Sequence, residues 1–148
     1  SSFVTVSCKS TIRGTVEGTE TTGEITALTF TECVSNQASN CSATSTASEE
    51  SPWHSEAAAT GSGNGTMEVS NVGGQFTCTV FGIKTTCVYA DGTVGDAGEI
   101  VVTGGTTATV KATNVTLTRQ AGSGFGCSST GTWSGTYQVT TPHDLYIT

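Results

Sequence analysis

Two histidines, His54 and His143, are the only side chains of this sequence whose ordinary titration falls near neutral pH. His54 belongs to the densest polar cluster, Ser51-Pro52-Trp53-His54-Ser55-Glu56. On a strand, His54 and Glu56 project to one face two residues apart, a spacing that lets a carboxylate orient an imidazole or lets the pair hold a cation. The plainer reading makes Trp53 a core anchor entering after a turn at Pro52, with His54 and Glu56 a pair on the solvent face. The 17 serines offer partners for a Ser-His-Asp arrangement, yet no G-x-S-x-G elbow occurs and neither histidine sits in a recognised motif. Glycoside hydrolysis needs two acids flanking a cleft, and the spacing of Glu17, Glu20, Glu24, Glu32, Glu68 and Glu99 singles out no pair.

Residues 91–96, Asp-Gly-Thr-Val-Gly-Asp, place two carboxylates around glycines. They lack the alternating ligands and distal Glu of a calcium loop, and Asp-Gly is also what a tight turn wants. Trp133 and Tyr137 share one face of a strand and could form a sugar-stacking platform. In a chain this poor in core residues, such a stripe serves the core itself. Asn40-Cys41-Ser42, Asn64-Gly65-Thr66 and Asn114-Val115-Thr116 fit the N-glycosylation pattern, which matters only in a eukaryotic host. The inventory points to no catalytic residue, no metal and no cofactor. The residues of interest for ligand binding are Trp53, His54, Glu56, Trp133 and Tyr137.

The elements that would position these residues are strands. Leu, Ile, Val and Phe number only 27 of 148 residues, but charged residues make up just 11% and Thr, with its branched Cβ, is the commonest residue at 31. The length fits a single domain, 1–148. Alternation of period two recurs: Val4, Val6 and Cys8 share a face, and Trp133, Gly135, Tyr137 and Val139 share another. Glycine-rich turns punctuate these runs at short, regular intervals, which predicts an all-β antiparallel β-sandwich or barrel-like fold.

If Gly73-Gly74 and Gly82-Ile83 are two-residue hairpin turns, the two registers agree. They place Met67, Val69, Phe76, Cys78, Val80, Cys87 and Tyr89 on one face of a three-stranded meander. Residues 106–120 form a further strand whose inward face changes parity between Ala112 and Val115, which predicts a β-bulge near Thr113-Asn114, with two strands joined by a kink as the alternative.

Six cysteines without C-x-x-C spacing read as three disulfides rather than a metal site. The meander predicts Cys78-Cys87, proximity predicts Cys33-Cys41, and Cys8-Cys127 remains. Disulfides imply an oxidising compartment. No apolar run is long enough for a membrane helix, and Ser1 follows no recognisable leader, so the chain reads as a mature secreted protein with both termini tied into the sheet. Net charge is -7, and the five basic residues are scattered singly. They make no stripe for nucleic acid or anionic lipid.

Residues 25–33 (Ile-Thr-Ala-Leu-Thr-Phe-Thr-Glu-Cys), Pro52-Trp53-His54, Gly61 to Gly65 with Thr66, and residues 131–137 resemble an uncharacterised group of small secreted, β-rich actinobacterial proteins. The likeness spans most of the chain. It implies export and a β-rich fold and transfers no functional residue. The expectation is therefore a secreted, non-catalytic structural or interaction module at the cell surface or beyond it. Its partner is a second copy, in an oligomer or filament, or another extracellular protein. A carbohydrate-binding module taking a glycan and a secreted β-rich toxin component are the alternatives.

Overall fold

Threonine-rich alternation does produce strands throughout. The computed structural model describes residues 5–16, 22–36, 40–93 and 99–140. Among them lie nine strands and no helix: β1 (Val6–Val16), β2 (Thr22–Ser35), β3 (Asn40–Ser45), β4 (Trp53–Gly61), β5 (Asn64–Val80), β6 (Ile83–Thr93), β7 (Glu99–Thr103), β8 (Thr109–Arg119) and β9 (Thr130–Gln138). All pairings are antiparallel.

The sheet is organised around β2, β5 and β8. β2 and β5 hold β3 and β4 end to end between them, and β5 and β8 hold β6 and β7 in the same way. β1 and β9 are the outer strands, paired to β2 and β8 respectively. The sheet rolls over far enough that the Ser10 hydroxyl of β1 donates to the Tyr137 hydroxyl of β9 at 2.8 Å. The core beneath it is Ile25, Leu28, Trp53, Val69, Val72, Ile100, Ala112 and Val115, with Ile12, Trp133 and Tyr137 packed against it. A satellite cluster joins Cys87, Tyr89 and Cys127 to Phe76 and Leu117.

The expected β-bulge is present. β8 pairs with β9 through a register shift between Ala112 and Val115, Asn114 has a φ of 49°, and both flanking residues are buried. β9 alternates as expected, with Trp133, Gly135 and Tyr137 turned inward. The face shared by Val6 and Cys8 is likewise the inner one, and Val4 lies outside the described residues.

The meander differs from expectation, and the disulfides differ with it. Gly73-Gly74 is not a turn but the middle of β5. The two glycines are required there by close approach of β3: a Cβ on Gly73 would lie 2.9 Å from Thr46 Oγ1, and one on Gly74 would lie 3.1 Å from the Thr44 carbonyl. The next turn is Phe81-Gly82, with φ of 50° and 78°, as a type I′ hairpin requires. Moving that turn by one residue slides the register by two, so Cys78 faces Thr85 and Phe76 faces Cys87. The inward parity of this hairpin survives the slide; the Cys78-Cys87 pairing does not.

On its other side β5 sets Cys78 directly opposite Cys41, and these two are bonded. The remaining bridges are Cys8–Cys33, between β1 and β2, and Cys87–Cys127, between β6 and the β8–β9 connection. Each bridge thus ties neighbours in the sheet, replacing the expected Cys8-Cys127, Cys33-Cys41 and Cys78-Cys87. Asp91-Gly92, which suits a tight turn, instead lies in β6, while residues 94–96 and both termini lie outside the described residues.

Candidate functional site

β4 begins at Trp53 because Pro52 cannot donate to a ladder and the residues after it alternate. That alternation sends Trp53 inward and His54 and Glu56 outward. Trp53 is 2% exposed, and its indole N–H donates to Thr46 Oγ1 at 3.1 Å. Its ring meets Trp133 edge-on with centroids 6.2 Å apart, and Trp133 in turn lies 6.2 Å from the Tyr137 ring. Trp53, Trp133 and Tyr137 therefore form a continuous aromatic ladder under the sheet. Its hydrophobic faces pack against the core, leaving Trp53 no face for a sugar ring to stack on.

His54 and Glu56 stand exposed on the opposite side of β4. The register places His54 between Glu24 of β2 and Ser70 of β5, and Glu56 between Thr22 and Glu68. Directly opposed residues on neighbouring strands are close enough for their side chains to interact, so Glu24 lies beside His54, with Glu56 two residues along β4 and Glu68 diagonally across. They line a shallow groove of about 380 Å³ floored by Gly23 and Val69. The sequence pointed to His54 and Glu56, but not to Glu24 and Glu68 as their neighbours. No local signal identifies them, because strands β2, β4 and β5 meet only through the sheet order.

The groove offers negative charge and hydrogen-bond acceptors. Among the described residues no three His, Cys, Asp or Glu side chains converge as a metal would require. Among those residues no cysteine is free. Burial raises the Tyr89 phenol above its ordinary 10.0, against the opposing pull of the Arg119 guanidinium. Tyr89 stacks on Phe76 and donates its hydroxyl to the Ser128 carbonyl at 3.1 Å, which makes it a packed tether for the β8–β9 connection.

The outer strands differ sharply from one another. β1 carries Lys9 and Arg13 and is broken by register shifts at Ser7/Lys9 and Arg13/Gly14. β9, Thr-Gly-Thr-Trp-Ser-Gly-Thr-Tyr-Gln, has neither a charge nor a proline, and among the described residues it pairs on one side only. No family model, no curated protein and no solved structure matches this chain. What is established is an all-β fold held by three disulfides, the chemistry of an oxidising, extracellular environment. No described helix is long and apolar enough to cross a membrane.

Proposed function

We propose that this chain is a secreted, non-catalytic interaction module that associates through strand addition at the outer edge of β9. A second copy is the first partner, and another extracellular protein is the alternative. The observation that carries this reading is the unguarded β9 edge. An exposed strand presents a row of backbone donors and acceptors that another chain can complete, and proteins that avoid this place Lys, Pro or bulges there. β1 has such guards and β9 has none. The disulfides support the extracellular address.

Thr132 and Thr136 expose their side chains on β9, so Thr132→Lys with Thr136→Lys supplies the missing guards while leaving the inward residues unchanged. Light scattering across a concentration series is expected to show the native chain gaining mass and the double variant remaining monomeric, with equal circular dichroism. A native chain that is strictly monomeric at millimolar concentration, and captures no extracellular partner through β9, overturns the reading.

A further inference from the structure

The hydrogen bonds at its two ends fix which backbone groups of β9 are free. The Val139 N–H donates to the Ala108 carbonyl at 2.9 Å, and the Ser129 carbonyl accepts from the Arg119 N–H at 2.9 Å. The odd-numbered residues flanking β9 therefore turn their backbone toward β8. The extra residue of the bulge belongs to β8, and β9 alternates without a break, so the odd residues between them do the same. The outer edge thus presents the N–H and carbonyl groups of Thr130, Thr132, Ser134, Thr136 and Gln138, whose side chains are also the exposed ones.

A second β9 running antiparallel takes up all of these groups in one register, with Ser134 facing itself across a two-fold axis. In that register Thr132 faces Thr136 of the second copy and Thr130 faces Gln138, on the exposed face. On the inner face Trp133 faces Gly135 and Tyr137 faces Gly131. Hydroxyls meet groups they can hydrogen-bond, and each aromatic ring meets a glycine, so no two large side chains compete for one place. Both glycines are already covered within the chain, Gly135 by the Tyr137 ring and Gly131 by the Tyr89 ring, so the second copy's rings meet aromatic surface there.

Charge and edge character separate this pairing from growth into a filament. β9 carries no charge, and β8 sets Lys111 opposite Thr136. The carboxylates Glu24, Glu56 and Glu68 lie on β2, β4 and β5, so a chain of net charge -7 keeps this edge clear of its acids. Head-to-tail growth needs β9 to pair with β1 of the next copy. Between its two register shifts β1 offers only residues 9–13, a run bounded by Lys9 and Arg13. We infer that two copies join β9 to β9, antiparallel about a two-fold axis at Ser134. Association stops at two, because each copy then shows only β1, bulged and basic, at its outer edge. This dimer rests on β9 being the association edge, and adds to it one partner, one register and closure.

The test is a charge exchange on the full chain, read by sedimentation equilibrium. In this register Thr132→Lys with Thr136→Glu sets opposite charges against each other across the axis, whereas Thr132→Lys with Thr136→Lys sets like charges there. The native chain is expected as a monomer–dimer equilibrium without larger species. The Lys/Lys variant should dimerise at least tenfold more weakly, and the Lys/Glu variant within about threefold of native, both with native circular dichroism. A Lys/Glu variant as weak as the Lys/Lys one, or a native mass that climbs past two copies, overturns the closed dimer while leaving β9 as the association edge. A native chain that stays monomeric but captures another protein through β9 does the same. A monomer that captures nothing through β9 removes the dimer and the association edge together.

Discussion

Thr46 links more of this fold than its exposed position suggests. Its hydroxyl accepts from the Trp53 indole at 3.1 Å and donates to the Gly73 carbonyl at 3.1 Å, while its own N–H reaches the same carbonyl at 2.9 Å. It therefore ties the buried tryptophan of β4 to the glycine of β5. Thr46→Val keeps the shape and leaves the buried indole N–H without its acceptor, which should cost about 1 kcal/mol, measurable as a lower urea midpoint at unchanged slope. Tyr89 makes a prediction in pH. Its phenol has a raised folded pKa, so the neutral form is favoured by folding. That stabilisation is fully present below pH 10, the unfolded value, and is lost as pH climbs through the folded value. Tyr89→Phe cannot titrate, so its stability should fall less steeply than that of the native chain over this alkaline window in parallel melts.

The strands show how parity read from a sequence can survive when partners do not. The bulge at Asn114 was legible because a change from even to odd inward residues between Ala112 and Val115 has only one cheap geometric solution, an extra residue. Gly73-Gly74 was misread because glycine pairs serve two ends. They permit tight turns, and they admit close neighbours where a Cβ would crowd them, as the Thr44 carbonyl and the Thr46 side chain do here. His54 and Glu56 were legible as a pair within one strand, whereas Glu24 and Glu68 became their neighbours only through long-range pairing. The same ambiguity misassigned the cysteines, since a turn that is absent cannot bring Cys78 to Cys87. The corrected bridge gives a direct test. Non-reducing peptide maps should join Cys41 to Cys78, across a separation of 37 residues. On the chain-entropy account, Cys41→Ala with Cys78→Ala should lower stability by roughly 3 to 4 kcal/mol, and maps joining Cys33 to Cys41 would contradict the strand order itself.

For the molecule as a whole, β1 and β9 are the two outer strands of the rolled sheet. Neighbouring strands are joined by backbone ladders, whereas these two are linked through the Ser10–Tyr137 side-chain hydrogen bond. The disulfides tie β1 to β2, β3 to β5 and β6 to the β8–β9 connection, and none joins β1 to β9. Opening should begin at these two strands, because an outer strand is released by breaking one ladder whereas β5 is held by ladders on both sides. Native-state hydrogen exchange is expected to be slowest in β5 around Val69 and Val72 and in β8 around Ala112 and Val115, all buried, and fastest in β1 and β9. Tyr137→Phe removes the acceptor of the Ser10 hydroxyl, worth roughly 0.5 to 1.5 kcal/mol. It should therefore speed exchange in β1 and β9 by about two- to tenfold while leaving β5 unchanged. Exchange that accelerates equally in all strands would mean that release of the outer strands is coupled to global unfolding and does not occur on its own.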